Sequence, residues 1–190
     1  MVARYERFAR GDPTPEEAAE LQVVDALAGR LATYLAEHTA EIDRVHVHGA
    51  SSSKVQEVVG ELLREAGFRE EVVHTPQVGF STRSRVDFAY RLSEGRGVIA
   101  EIERGGTTTN NHDLKDFWKV HIAGDAHHLF LVVPVANWKK DGAARERPFT
   151  RVVHRLAAFF GESRREVDVL SAHVFGYGSD VPIKPVMPSH

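Results

Sequence analysis

The chain has 190 residues, of which 42% are hydrophobic and 27% charged, a composition typical of one globular domain with its own core. It contains no cysteine, which excludes disulfide scaffolds, thiol nucleophiles and cysteine-ligated zinc. The net charge of −3 excludes a globally basic polyanion-binding protein, so any contact with nucleic acid would be local. No segment reads as a signal peptide or a membrane span, and we expect a single cytoplasmic domain over residues 1–190.

The first third of the chain is predicted to be mostly helical. Residues 1–12 precede the first capping signal and are interpreted as an N-terminal arm. Residues 14–17 (TPEE) form a capping box with proline at the first helical position, and the apolar residues that follow at helical spacing predict a helix over 15–38. Residues 44–48 fit either a short strand or a loop. A second helix is predicted over 52–66, ended by a glycine.

The remaining two-thirds mixes strands and helices. Apolar runs separated by turn residues predict three consecutive strands in an antiparallel meander, over 68–75, 83–92 and 97–103. The later elements are predicted to be a helix that begins at Asn110 or Asn111, a strand over 128–135, a helix over 148–160, a strand over 167–174 and an extended proline-rich tail over 176–190. The run at 128–135 is nearly all apolar, as expected at a sheet centre. The order predicts an α/β fold: a mixed β-sheet of the meander plus two further strands, with helices on both faces.

The hairpin of the second and third meander strands concentrates the acidic residues. On the second strand, Val86, Phe88, Tyr90 and Leu92 alternate with Asp87, and on the third, apolar residues at even numbers alternate with Glu101 and Glu103. Both even-numbered sets face one core only if even-numbered residues of one strand pair with even-numbered residues of the other. A four-residue loop would pair even-numbered residues with odd-numbered ones. A five-residue loop, 93–97, pairs even with even, a parity that sets Asp87 directly across from Glu103 and diagonal to Glu101.

Three carboxylates on one patch require a compensating cation, because like charges on opposed strands are destabilising. A hard divalent cation such as magnesium or manganese is the simplest candidate, and two basic side chains are the alternative. Lys115 and Lys119, four residues apart, lie on one face of the helix that follows. A lysine in that position can orient a metal-bound water or stabilise charge that develops on a phosphoryl group.

An acidic residue on one strand, a turn and Glu-x-Glu on the next strand, then a helix and a buried apolar strand, resemble the PD-(D/E)XK nuclease superfamily of restriction-endonuclease-like proteins. The similarity runs from about Lys54 to Val135. It implies metal-dependent hydrolysis of phosphodiester bonds in DNA, with Asp87 and Glu101 as carboxylate ligands of magnesium or manganese and the Ile102 carbonyl as a third ligand.

Two positions of this sequence depart from the usual motif. Glu103 falls where lysine is usual, as in the Bgl and Bam group of type II restriction enzymes, and Val86 replaces the proline that names the motif. The resemblance therefore implies that either Glu103 or a lysine of the next helix, Lys115 or Lys119, positions or deprotonates the water. A glutamate of the preceding helix, Glu57 or Glu61, is a further candidate.

Residues around the acidic patch suit contact with DNA. The candidates are the arginines and the polar residues of the loop after the third strand: Arg83, Arg85, Arg104, Thr107, Asn111 and His112. Trp118 is expected to pack in the core, whereas Trp138, flanked by two lysines, fits either a base-stacking residue or a cap on the core. Two cuts in a duplex usually need two sites, so a homodimer is expected, with the tail or the helix over 15–38 as its contact.

Two other functions fit the sequence. The first is a nuclease-fold protein that binds nucleic acid or a protein without cutting, its carboxylates neutralised by Arg83, Arg85 or Lys119. The second is a related nuclease that acts on RNA or branched DNA. Magnesium-stimulated nicking of DNA separates a nuclease from an inactive binding module.

Overall fold

The computed structural model describes residues 4–70, 73–74, 84–160 and 168–180. The described residues form five helices: α1 (Pro15–Glu37), α2 (Thr39–Val45), α3 (Ser53–Glu65), α4 (His112–Ile122) and α5 (Pro148–Ala157). They form ten strands: β1 (Arg4–Ala9), β2 (Arg69–Glu70), β3 (Val73–His74), β4 (Ser84–Arg85), β5 (Phe88–Ser93), β6 (Arg96–Ile102), β7 (His128–Pro134), β8 (Asn137–Trp138), β9 (Ala144–Glu146) and β10 (Ser171–Tyr177). No helix in these ranges is both long and apolar enough to span a bilayer.

Six strands build a mixed sheet in the order β1-β10-β7-β6-β5-β2. The pairs β6–β7 and β7–β10 are parallel, whereas β2–β5, β5–β6 and β1–β10 are antiparallel. The predicted meander is thus present in β2, β5 and β6, and every residue of β7 is buried between two neighbouring strands, as its apolar sequence predicts.

Two cores lie on opposite faces of the sheet. On one face, α1 and α3 contribute Val24, Leu31, Val59 and Leu62 against Phe88 and other residues of the sheet. On the other face, α4 and α5 pack through residues such as Phe117 and Leu156 against alternate residues of β7 and β10. The α/β fold class with helices on both faces is therefore confirmed. The order α3, meander, α4, β7 is the order that the resemblance to restriction-endonuclease-like proteins implies.

Several predicted elements differ from the structure. Residues 4–9 of the predicted arm form the edge strand β1, which pairs along β10 far away in the sequence. The last strand lies at 171–177 rather than 167–174, so the predicted tail begins inside the sheet, and residues 181–190 lie outside the described ranges. Residues 44 and 45 end α2, where a strand or loop was expected. Trp118 is 55% exposed on α4 and contacts the ring of His121 rather than the core.

A chain of buried hydrogen bonds links α1 to the middle and edge of the sheet. His128 Nε2 lies 2.6 Å from a carboxylate oxygen of Glu20, and His128 Nδ1 lies 2.6 Å from the Ser171 hydroxyl. The same hydroxyl lies 3.0 Å from His173 Nε2, and His173 Nδ1 lies 2.7 Å from the Tyr5 hydroxyl. When both imidazoles are neutral, each bond has one donor and one acceptor, with protons ordered from Tyr5 towards Glu20.

The neutral form of both histidines is fixed by their surroundings. Burial lowers the pKa of His128 to about 4 and the pKa of His173 to about 3, against about 6.5 in an unfolded chain. A second proton on either ring would need an acceptor where the hydrogen-bond chain already supplies a donor. At these two histidines the folded state therefore binds fewer protons than the unfolded state between about pH 6.5 and 4.

We predict that acid weakens the contribution of this chain to stability. The part of the free energy of unfolding that comes from His128 and His173 should fall as the pH drops from about 6.5 towards 4, by several kcal/mol in order of magnitude, since each pKa unit corresponds to about 1.4 kcal/mol. Burial raises the pKa values of Glu101 and Asp116, which act in the opposite sense over this range, so the contribution is measured as a difference between the parent and a variant. Chemical denaturation of the parent and of His128→Gln at a series of pH values measures this contribution, and the difference between the two proteins should be smaller at pH 4.5 than at pH 7. The exposed His154→Gln variant is the control, and a difference between the parent and His128→Gln that is equal at pH 4.5 and 7 would contradict the prediction.

Candidate functional site

The hairpin of β5 and β6 sets which acidic residues meet. Ser93 pairs with Arg96 across a two-residue turn in which Gly95 has a φ of 67°, a conformation that favours glycine. The register then shifts between Arg91 and Ser93, and Arg91 pairs with Gly97. The predicted five-residue loop over 93–97 is wrong. The irregularity at Leu92 has the same effect as that loop. Beyond it, even-numbered residues again pair with even-numbered residues and face one core.

This register places Asp87 beside Glu101 instead of across from Glu103. The Asp87 backbone N–H lies 3.3 Å from Glu101 Oε2, and the Ile102 N–H donates to Asp87 Oδ2 at 2.9 Å. The amide of Gln56 on α3 donates to the same oxygen at 3.1 Å. Val86, which was expected to share a face with Phe88, lies in the opposite core because the chain bends between β4 and β5.

A cleft of about 550 Å³ opens at this end of the hairpin. Its wall includes the three carboxylates of Asp87, Glu101 and Glu103, together with the basic side chains Arg85, Arg104 and Lys119. The acidic residues come from the end of β6 and the bend before β5, whereas Lys119 comes from α4. The structure thus brings the acidic residues together with one of the two predicted lysines.

Lys119 bridges two buried carboxylates. Its Nζ lies 2.7 Å from Glu101 Oε1 and 2.9 Å from Asp116 Oδ1, and the two acidic residues are 3% and 2% exposed. Burial, followed by the charge of Asp116, raises the pKa of Glu101, and burial likewise raises the pKa of Asp116. Burial alone would lower the pKa of Lys119, but its two acidic partners raise it above its ordinary value. Lys119 therefore stays charged within the described site.

Asp116 was not found from the sequence. It stands three residues before Lys119 on α4, at the spacing that places two side chains on one face of a helix, and this spacing was the available signal. Its second oxygen, Oδ2, is buried without a hydrogen-bond partner in the described structure. Lys115, the other predicted lysine, is exposed and does not line the cleft.

Glu103 is held by two neighbours. His112, at the start of α4, lies with Nδ1 2.9 Å from Glu103 Oε2, and both residues line the cleft. The hydroxyl of the buried Tyr177 donates to the Glu103 carbonyl at 3.0 Å. His112, predicted as a contact for nucleic acid, is thus also the hydrogen-bond partner of a predicted catalytic residue.

The predicted contacts for nucleic acid occupy different environments. Arg85 is exposed at the cleft, and Arg83 lies outside the described residues. Arg104 lines the cleft, but its guanidinium donates to the carbonyls of Val47 and Ala50 and so holds the loop before α3. Its main role in the structure is to fix this loop.

The loop before α4 contains the remaining candidates. Thr107 is fully buried, which contradicts its predicted contact with nucleic acid. Asn111 is exposed, with a left-handed φ of 55°, and its side-chain oxygen accepts from Arg155 at 3.2 Å. Arg155 also donates to both oxygens of the buried Asp113 at 3.0 and 3.1 Å, which ties α5 to the first turn of α4. From α3, Gln56 reaches the site, whereas the candidates Glu57 and Glu61 are exposed outside the cleft wall.

The oxygen ligands of the cleft suit a hard cation. No group of three or more His, Cys, Asp and Glu side chains within the described ranges is arranged as a metal cage. Magnesium, however, is usually bound by one or two protein carboxylates, with water and substrate phosphates completing its shell. Asp87 and Glu101 supply two carboxylates, and the unpartnered oxygen of Asp116 shows that acidic groups outnumber their donors. The residues present therefore fit such an ion.

The chain is similar to the restriction endonuclease BglII in complex with a 16-mer of DNA, with a TM-score of 0.49 and 10% sequence identity. The alignment covers 95% of this chain and 79% of that one. No family model and no curated protein matches the sequence. At this level of identity the likeness assigns no role to any residue.

We predict that Lys119 is essential for stability, unlike Lys115. Replacing Lys119 with Met leaves two buried carboxylates without their cation and should lower the free energy of unfolding by about 3 kcal/mol. The matched variant Lys115→Met, on the same helix but exposed, should change it by less than about 0.5 kcal/mol. Equilibrium denaturation at pH 8 measures both. Equal values for the two variants would show that the bridge contributes no stability.

Proposed function

We propose that this protein is a magnesium- or manganese-dependent endonuclease that hydrolyses phosphodiester bonds in DNA. The observation that carries the proposal is the meeting of Asp87 and Glu101 on one cleft wall, with the Lys119 ammonium 2.7 Å from Glu101. Phosphoryl transfer asks an enzyme chiefly for positioning and for stabilisation of negative charge, and these groups supply both.

Each residue has a distinct role in this proposal. Asp87, Glu101 and the Ile102 carbonyl would hold the cation, and the hydrogen bonds from the Ile102 N–H and the Gln56 amide fix the Asp87 carboxylate in place. A divalent cation bound there would supply a water of lowered pKa and would stabilise the leaving oxygen. Lys119 remains charged and stabilises the negative charge that builds up on the phosphoryl group.

Glu103 positions the attacking water in this proposal. Its carboxylate lines the cleft and is oriented by His112 at 2.9 Å, while its backbone is fixed by the Tyr177 hydroxyl. Glu103 thereby accepts a hydrogen bond or a proton from the attacking water. The exposed Arg85 contacts the DNA backbone beside it. The cytoplasmic location and the homodimer stay predictions.

We predict that Asp87→Asn and Glu101→Gln abolish cleavage. Each change removes a charged ligand oxygen while it keeps the size of the side chain. Nicking of supercoiled plasmid by the variant protein in magnesium should therefore fall to the level seen without protein. The control is Glu94→Gln, in the exposed turn of the same hairpin, which should cut at the parent rate. Either ligand variant nicking at that rate would remove the proposal.

A second function is favoured by one observation. Lys119 already compensates Glu101 and Asp116 from inside the protein, as expected of a nuclease-fold module that binds nucleic acid without cutting it. Calorimetry separates the two functions. If the protein is a nuclease, calorimetry should detect heat when manganese binds, and this heat should be absent in Asp87→Asn. If it is a binding module, it should bind DNA but give no heat with manganese.

A further inference from the structure

A second cleft, here called the side cleft, opens beside the cleft that contains Asp87, Glu101 and Glu103, which is the proposed catalytic cleft. It has a volume of about 250 Å³ and shares Arg104 and Gly105 with the catalytic cleft, so the two clefts adjoin at these residues. Its other walls are residues 46–49, after α2, and the 137–146 hairpin of β8 and β9. A Cβ atom built at Gly105 meets nothing within 4 Å, so no side chain obstructs the boundary at this point.

The 137–146 hairpin is fixed relative to the end of β6. The Asn137 amide donates to the Arg104 carbonyl at 3.0 Å and to a Glu146 carboxylate oxygen at 2.8 Å. On the opposite wall, His46 Nε2 donates to the Ala136 carbonyl at 2.9 Å, and His48 Nδ1 donates to the Trp138 carbonyl at 3.2 Å. These bonds bind the hairpin to the end of β6 and to the loop after α2, so the side cleft is preformed.

The chemistry of the side cleft suits a nucleobase. Trp138 lines it and is half-buried, which leaves part of an indole surface in a polar surround. Arg145 lines the same cleft from the facing strand, and the exposed Lys139 and Lys140 stand in the loop of the hairpin. An aromatic ring with cations beside it is the usual platform for a base of single-stranded nucleic acid, whose phosphates the cations contact.

We propose that the side cleft binds one unpaired base of a DNA strand whose backbone occupies the catalytic cleft. The base stacks on Trp138, and Arg145 contacts its phosphate. A paired base is held inside its duplex and cannot enter such a site without being extruded. The volume lies below the roughly 300–1,000 Å³ of sites for drug-sized ligands, which suits a single base. The inference rests on the proposed function and specifies its substrate: DNA with an unpaired nucleotide beside the cut.

The test measures binding without metal, so that it does not depend on cleavage. Fluorescence anisotropy of a labelled single-stranded oligothymidylate and of a labelled blunt duplex is recorded in EDTA. The parent protein should bind the single strand more tightly than the duplex. Trp138→Ala should weaken single-strand binding roughly ten-fold, the size expected from the loss of one base–aromatic stack, and Trp138→Phe should give an intermediate loss.

The matched control is Trp118→Ala, because Trp118 is exposed and lines neither cleft. This variant should bind the single strand as the parent does. A thermal unfolding curve for each variant separates loss of the site from loss of the fold, and Trp138→Phe keeps the test valid if Trp138→Ala unfolds. In the Trp118→Phe protein, Trp138 is the single tryptophan and its fluorescence should be quenched by the oligonucleotide.

The outcomes distinguish this inference from the proposed function. Single-strand binding that depends on Trp138 supports the side cleft even when no variant nicks plasmid. Nicking that depends on Asp87, in a protein whose binding is equal for Trp138→Ala and Trp118→Ala, overturns the side cleft and leaves the nuclease. Unquenched Trp138 fluorescence at saturating oligonucleotide also overturns it.

Discussion

The candidate site depends on the pairing of one lysine with two buried carboxylates. Lys119 contacts Glu101 on β6 and Asp116 on its own helix, so a single ammonium joins α4 to the sheet at the mouth of the cleft. A buried ion pair contributes little net stability against an apolar alternative, yet it strongly penalises any arrangement that separates its members. The bridge therefore fixes where α4 lies relative to the hairpin, and with it the positions of Glu103 and His112.

The acidic residues of the hairpin reach this bridge because of the two-sided core. Phe88, Val98 and Ala100 must face α1 and α3, and in a strand that requirement turns the residues between them to the other face. Away from the cleft, that other face buries apolar residues such as Ile99 against α4 and α5. At the end of β6, where apolar residues of α4 and α5 no longer cover this face, the odd-numbered residues are Glu101 and Glu103, and both line the cleft. The site thus lies where the apolar residues of the two cores end.

Much of this arrangement was predictable from the sequence, and the misses have physical causes. The parity of the hairpin followed from its apolar pattern, but its register did not, since both a longer loop and a tight turn with an irregularity at Leu92 satisfy parity. Strand β1 has no local signal of its own, because its partner β10 lies at the other end of the chain. The burial of Thr107 and Asp116 depends on how α4 and α5 pack, which sequence periodicity does not reveal.

The two clefts follow from a single feature of the topology. The parallel strands β6 and β7 end at the same edge of the sheet, and the chain leaves that edge in two directions. After β6 it passes through the Arg104–Gly105 boundary towards α4, and after β7 it enters the 137–146 hairpin. The Asn137 amide joins the two segments by donating to the Arg104 carbonyl. The acidic cleft and the cleft lined by Trp138 and Arg145 therefore lie side by side, because neighbouring strands end at the same edge of the sheet.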